Sequence, residues 1–446
     1  MHFIKNRYYS LIGLDKISNK KNNLLSDILF FILFIALPSS FFAIVPQSTF
    51  YKAGAYDLNL LFLISGLVYL IFYFKHLAKI WKLPSGKFFI FLCLYLIFQI
   101  LYSWLYMEIS LREVLTIFRK NFFWPIATLG FLLYVSSMSS YRIERFFRWL
   151  FIITFSMALL YIFSNLTGIN VWGASAKDAI VFKGALLMQN VYAIPRYLHI
   201  LFVFIVISSI VDFKFKNNWM WLIPLLVTIL SFVRNQMMVY ALYLFFIYFF
   251  TKTTNIPTHL IKTAKQFLLL FFMVILIITI FPKHLDRLLD KFGFHNRAGM
   301  LVTKMENLKT GTYDFRIRLI EESYERTKNN LLLGNGYIRE SGIRTYDFVL
   351  GGDSLIPAVL FTEGVMGLII RWIPLIILLI YSIKYIFKKR NKFKIYWLTI
   401  IVLILPQFIN IVQTTIFTEY NHWYFIFLAM LIFKNKLNIK KEKNVP

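Results

Sequence analysis

The sequence predicts an all-α polytopic membrane protein: about twelve transmembrane helices and one large extracytoplasmic loop that contains an amphipathic helix. Three observations carry this. First, the 446 residues are 59% hydrophobic and only 16% charged, with a mean hydropathy of +0.65, too apolar for a soluble enzyme of this size. Second, runs such as Ile28–Ile44, Leu58–Phe74, Phe88–Leu105, Leu268–Phe281 and Ile395–Leu405 approach or reach the roughly 20 residues that cross about 30 Å of hydrocarbon as a helix. Third, a single long polar segment, Pro282–Gly352, interrupts them and ends in Gly351-Gly352-Asp353-Ser354 where a hydrophobic run resumes.

Along the chain, the N-terminus carries Lys5, Arg7, Lys16, Lys20 and Lys21 before the first apolar run. No small-residue cleavage pattern follows that run, so it reads as a first span rather than a removable signal. The basic residues that come next set direction. Lys75, Lys79, Lys82 and Lys87 lie between spans two and three, and Arg142, Arg145 and Arg148 between spans four and five. Lys214 with Lys216, then Lys252, Lys262 and Lys265, Lys384 through Lys394, and the tail from Lys434 to Lys443 continue the alternation. Under the positive-inside rule all of these are cytoplasmic, as are both termini.

The segments Asn165–Tyr197, Phe232–Gln236 and Pro282–Gly352 then lie outside. This divides the chain into residues 1–281 with helices one to nine, an extracytoplasmic subdomain over 282–352, and residues 353–446 with helices ten to twelve and a cytoplasmic tail. The net charge of +28 follows from the basic loops and needs no nucleic-acid partner. With Cys93 as the one cysteine, an intrachain disulfide or a cysteine metal site is excluded.

Inside the polar segment, Ile317, Ile320, Tyr324 and Leu331 recur at helical spacing. The pattern predicts a helix over Phe315–Asn330, with Asp314 as N-cap and Glu322 to Arg326 as an (i, i+4) pair. Gly334-Asn335-Gly336 ends it, since glycine accepts the left-handed conformation beyond a helix.

Several residues could carry chemistry. Arg234, in a short turn between two apolar runs, must stand at or just inside the outer boundary, where it either snorkels to headgroups or lines a wet cavity. Arg316 and Arg318 begin the amphipathic helix. They are either compensated by Asp314, Glu321 and Glu322, or their guanidinium forks hold a phosphate or pyrophosphate. Arg196, at the end of another span, could join the same basic cluster or snorkel.

Asp353 is either an N-cap or a general base. At 100° per residue, Gly364 and Gly367 fall roughly beneath it and leave a backbone-lined furrow. Glu363 and Arg371 lie in an apolar stretch, Leu355 to Phe387, that is longer than a membrane is thick. Its first turns are therefore expected in a cavity above the hydrocarbon, bent near Pro374, with neither charge deeply buried.

Motifs of other enzyme classes are missing: no Walker glycine loop, HExxH or G-x-S-x-G, and no His or carboxylate cluster at metal spacing. The first external loop has only Asp57 as an acid. A metal-independent reaction without a cofactor is expected.

Arg316, followed eighteen residues later by Gly334-Asn335-Gly336, resembles the arginine, helix and Leu-Gly-x-Gly pattern of the O-antigen polymerase and O-antigen ligase superfamily. Leu230-Ser-Phe-Val-Arg234 is more loosely similar to its Ser-Arg signature. Asp353-Ser354, nine residues, Gly364, two residues and Gly367 match the ligase motif everywhere but at its leading histidine. The span number, the cytoplasmic termini and the late external loop also resemble that superfamily, so the likeness covers the whole architecture.

The resemblance implies a glycosyltransferase of the bacterial inner membrane acting on its outer face, with undecaprenyl-pyrophosphate-linked glycans as donor and acceptor, membrane lipids around it and a chain-length regulator protein as a further candidate partner. Arg316 and Arg234 would bind the pyrophosphate, Arg196, Arg318, Gly334, Gly336, Gly364 and Gly367 would line the substrate site, and Asp353 would orient or deprotonate the attacking hydroxyl. If aspartate is not the base, His199, His284, His295 and His422 are the external-side candidates. Replacement of the histidine favours polymerase over ligase. A flippase or other secondary transporter is the rival from another class, although such proteins usually show internal symmetry, and this chain has none.

Overall fold

The computed structural model describes residues 24–36, 58–167, 179–182, 185–188, 203, 223–224, 226–227, 239–247, 312–338, 355–386, 394–409 and 425–436. In chain order, the helices are α1 (Leu24–Phe31, continued by a π turn Ile32–Ala36), α2 (Leu58–Tyr73), α3 (Leu77–Trp81) and α4 (Gly86–Leu101, continued by a π turn Tyr102–Tyr106). Next come α5 (Leu111–Asn121), α6 (Trp124–Ser137) and α7 (Ser140–Thr167). Then follow α8 (Thr312–Thr327, extended by a 3-10 turn Lys328–Asn330), α9 (Leu355–Ile386) and α10 (Lys394–Ile409). Residues 239–247 and 425–436 are helical as well.

The chain is helical, as its composition predicts. One short antiparallel hairpin accompanies the helices: β1 (Ala179–Phe182) pairs with β2 (Ala185–Met188), Ala179 opposite Met188 and Phe182 opposite Ala185.

Among the described residues four helices are long and apolar enough to cross a membrane: Leu60–Trp81, Gly86–Tyr106, Ser140–Phe163 and Ile356–Ile386. Leu24–Phe34, Trp124–Ser137 and Lys394–Leu405 are shorter apolar helices. These mark a membrane protein. The count of twelve, the run Leu268–Phe281 and most of the polar segment rest on residues outside those described.

Packing follows the small and aromatic residues. A Cβ added to Gly66 would lie 2.4 Å from the Ala127 Cα, and one added to Gly130 would lie 1.9 Å from the Gly66 carbonyl oxygen. The α2–α6 crossing therefore brings backbones into contact, the close approach that small residues permit between membrane helices. Above it an aromatic cluster fills the core: Phe34 meets Phe131 at 4.9 Å and Phe425 at 3.9 Å between ring centroids, and Tyr69 meets Tyr134 at 4.7 Å.

Basic residues from separate parts of the sequence gather at one end of this bundle. Asp27 at the start of α1 is buried and accepts from Arg142 (Nε 2.8 Å) and from Arg145, both in the first turns of α7. Arg142 also donates to the Tyr134 hydroxyl at 2.7 Å. The last carbonyls of α6 point at two ammonium groups: Ser136 accepts from Lys79 at 3.5 Å and Lys436 at 3.0 Å, and Met138 also accepts from Lys436. Positive charge at a helix C-terminus is favourable there. Lys434 lies over the rings of Tyr385 and Trp397 at 5.3 and 4.5 Å. Basic loops assigned to one side of the membrane thus meet at one end.

At its other end α4 leads into α5, which Ser110 caps by accepting from the Glu113 amide at 3.4 Å. α5 buries Val114, Ile117 and Phe118 and exposes Leu111 and Leu115.

Candidate functional site

The polar segment is described over 312–338, and there its architecture differs from expectation. The helix begins at Thr312, so Asp314 lies within its first turn rather than capping it. The Glu322–Arg326 pair forms at 2.6 Å, but both groups are solvated and the pair contributes only a few tenths of a kcal/mol. The face α8 buries is Leu319, Ser323 and Thr327, at strict i, i+4 spacing, while Tyr324 is exposed. Threonine serves on this face because its hydroxyl returns to the helix, Thr327 donating to the Ser323 carbonyl at 2.6 Å, and serine because it is small enough to be buried there. Of the apolar stripe expected from periodicity, Ile320 is half-buried against the core and Leu331 is half-buried, whereas Tyr324 is exposed.

Beyond α8 the chain turns through Leu331–Leu333 into Gly334-Asn335-Gly336-Tyr337, and both glycines adopt φ of +76° as expected. Asn335 knits the turn to its helix, donating to the Arg326 carbonyl at 3.2 Å and accepting from Asn330 at 3.3 Å.

This turn seats in a break in α9. At Gly364 the backbone leaves the helix (φ 66°, ψ −165°), whereas Pro374, where the sequence suggested a bend, sits inside the helical run. A break strands the last carbonyls of the first half and the first amides of the second, and in a membrane each unsatisfied group costs several kcal/mol. The turn supplies the missing partners from both sides. Asn335 and Gly336 amides donate to the Phe361 and Thr362 carbonyls at 2.9 and 3.1 Å, and the Val365 and Met366 amides donate to the Leu331 and Leu332 carbonyls at 2.9 and 3.1 Å. The Glu363 carbonyl accepts from the Tyr95 hydroxyl of α4 at 3.0 Å.

The glycines make this junction possible. A Cβ on Gly334 would lie 2.5 Å from the Thr362 carbonyl carbon, one on Gly364 would lie 2.5 Å from the Leu332 oxygen, and one on Gly336 would lie 2.9 Å from the Ser103 Oγ. A Cβ on Gly367 would lie 2.3 Å from the Glu363 Cβ, so Gly367 clears space for that side chain. The furrow expected along Gly364 and Gly367 exists, but the chain's own turn and the Glu363 side chain occupy it.

Glu363 and Arg371 are also deeper than expected, 0% and 2% exposed. The sequence placed both outside the deep interior. Instead they pair, Arg371 Nη2 to Oε1 at 2.6 Å and Nε to Oε2 at 3.0 Å, and the Tyr337 hydroxyl donates to Oε1 at 2.8 Å. In an unbroken helix residues eight apart are over two turns away from each other, about 12 Å along the axis, so only the break lets the pair close. Phe118 and Phe122 of the α5 region pack on Tyr337, and the Arg371 guanidinium lies over the Phe122 ring at 5.5 Å.

α4 completes the wall. Gln99 donates to the Tyr95 hydroxyl at 2.6 Å and to the Leu333 carbonyl at 3.4 Å, and Ser103 accepts from the Tyr337 amide at 3.0 Å. Burial, with the Glu363 carboxylate beside it, pushes the Tyr337 phenol well above its ordinary range, so it stays a protonated donor.

Of the residues singled out from sequence, Gly334, Gly336, Gly364 and Gly367 converge on this junction. Arg316 lies on α8, and Arg318 is exposed on the same helix. Asp353, Arg234 and Arg196 lie outside the described residues, as do His199, His284, His295 and His422. The Glu363–Arg371–Tyr337 cluster had one usable signal: two opposite charges in an otherwise apolar run, which a membrane interior obliges to find partners. Nothing in the sequence marks Tyr337 as the third member. No family model matches the chain, and no curated protein matches it either.

Proposed function

We propose that this chain is a polyprenyl-pyrophosphate-dependent glycosyltransferase that polymerises undecaprenyl-pyrophosphate-linked oligosaccharide repeat units into O-antigen or a related surface polysaccharide at the outer face of the bacterial cytoplasmic membrane. One observation carries the reading. The two sequence patterns behind the family resemblance, Arg316 to Gly334-Asn335-Gly336 and Asp353 to Gly364 and Gly367, are separate in the chain, yet their glycines interlock backbone to backbone at one junction. An arginine-bearing helix and the span that follows Asp353 are thereby held as one unit.

The sidedness of the basic residues supports the reading too. Those of the loops read as cytoplasmic, Lys79, Arg142, Arg145, Lys434 and Lys436, cluster at the far end of α4 and α9 from the junction, and from Val365 to Ile386 the second part of α9 runs about 33 Å at 1.5 Å per residue, enough to cross the hydrocarbon alone. With the basic end cytoplasmic, the junction and α8 face outward.

In this mechanism the acceptor hydroxyl oxygen attacks the anomeric carbon of the donor glycan, and Asp353 takes the proton. The carbon–oxygen bond to undecaprenyl pyrophosphate breaks, and Arg316 and Arg234 stabilise the departing negative charge. Holding both lipid-linked substrates in one cavity supplies proximity.

Ligation to a lipid core would use the same donor chemistry. A transporter would also employ a broken helix, but there the freed backbone groups line the ligand site, whereas here the chain's own turn takes them up.

Arg316→Lys tests the assignment. It keeps the charge but loses the fork that grips a pyrophosphate. Long-chain polymer should disappear while protein level is unchanged; an unaltered glycan ladder removes Arg316 from the site.

A further inference from the structure

We infer that Tyr337, Glu363 and Arg371 form a clamp that holds the polar segment in register with the broken span, and that Tyr337 acts as a positioning residue for the arginines of α8. The clamp stands on geometry alone; the positioning role rests on the function proposed above.

One carboxylate joins three pieces of the chain. Glu363 is the last residue before the break, so its backbone belongs to the first half of α9. Its side chain is held by Arg371 of the second half and by Tyr337 of the polar segment. The break removes the continuous helical hydrogen bonding that would otherwise fix the two halves, and the turn is joined to them mainly through backbone contacts. A single buried anion therefore ties together three pieces that could otherwise shift against one another.

The arrangement is also matched in number. Oε1 accepts from Tyr337 and Arg371, Oε2 accepts from Arg371, and Gly367 lacks the Cβ that would deny the carboxylate its place. Hydrogen bonds to charged groups are about twice as strong as neutral ones, and burial at 0% exposure keeps water from replacing them.

The clamp reaches α8 through a short, stiff path. Tyr337 follows Gly336 directly, and Asn335 is bonded to the Arg326 carbonyl, so the C-terminal end of α8 is fixed to the junction. The remainder of α8, with Arg316 and Arg318, extends from that anchor as one helix. Any slack at Tyr337 is carried to the arginines, where a displacement of about 1 Å is enough to lower catalysis substantially.

The test is hydrogen–deuterium exchange on the full-length protein purified in detergent, comparing wild type with Tyr337→Phe, which removes one hydroxyl. The Asn335 and Gly336 amides should exchange about tenfold faster or more, the effect expected from losing one hydrogen bond to a buried charge, while residues 369–386 and 124–137 keep their protection. Exchange within about twofold of wild type at those two amides overturns the clamp. Glu363→Gln should show the same local loosening where it folds; if its buried, unpaired Arg371 prevents folding, Tyr337→Phe decides alone.

Positioning is read separately in proteoliposomes supplied with the lipid-linked repeat unit that accumulates when the gene is deleted. A displaced substrate helix raises KM several-fold and lowers kcat with it, because the arginines both bind the pyrophosphate and stabilise its departure. Lower kcat with unchanged KM, the mark of fewer correctly folded molecules, overturns the positioning role. Faster exchange in a protein whose wild type turns over no lipid-linked repeat unit supports the clamp and refutes the proposed function.

Discussion

Replacing Gly364 by alanine strikes the junction where its geometry leaves least room. The residue sits at φ 66°, ψ −165°, a region that L-residues enter at a cost of about 1–3 kcal/mol. Its Cβ would also fall 2.5 Å from the Leu332 oxygen, 2.6 Å from the Gly334 nitrogen and 2.6 Å from the Leu331 oxygen. All three are backbone atoms, so no side chain can rotate away, and relief requires the turn to leave the break. Expelling it forfeits the four hydrogen bonds made by Asn335, Gly336, Val365 and Met366, at about 1 kcal/mol each. Whether the strain is kept or the turn is lost, the junction is weakened by roughly 3–5 kcal/mol.

The assay is proteolysis of the purified protein across residues 331–338, followed by mass spectrometry, with Leu332→Ala as a control because that side chain is 61% exposed. Gly364→Ala should be cleaved far faster than wild type and the control should match wild type. Equal cleavage of all three would mean that the turn does not depend on the break and would refute the reasoning.

Two further outcomes follow. Asp27→Asn removes the anion that faces Arg142 and Arg145. Uncompensated buried charge typically costs about 3–5 kcal/mol, and partial solvation of the arginines lowers this to about 2–3 kcal/mol, measurable as a lower thermal midpoint in detergent and partly restored in Asp27→Asn/Arg145→Met. Asp353→Asn separates cap from base, since asparagine caps helices about as well as aspartate: loss of polymer at normal protein level supports the base, and full polymer excludes it.

How much was legible from sequence depends on which force set each feature. The spans over Leu58–Phe74 and Phe88–Leu105 could be located because hydrocarbon thickness demands long apolar runs. The left-handed Gly334 and Gly336 were foreseeable because few other residues tolerate that backbone. The break at Gly364 was not, since it depends on a turn some thirty residues earlier supplying its hydrogen bonds; Pro374 carried the stronger local signal and stayed helical. The depth of Glu363 and Arg371 failed for the same reason: their pairing exists only once the helix is broken. On α8 the burial of Ser323 and Thr327 escaped a reading based on apolar residues, because both side chains are polar, small enough for a tight contact, and Thr327 satisfies its hydroxyl within the helix itself.

The central claim is that this chain joins lipid-linked repeat units, and glycan profiling of a strain lacking it tests that most directly. Surface glycan reduced to a single repeat unit, with long chains restored by the wild-type gene and not by Arg316→Lys, is the predicted result. Unchanged long-chain glycan contradicts the claim, as does accumulation of intact lipid-linked polymer, which would assign ligation instead.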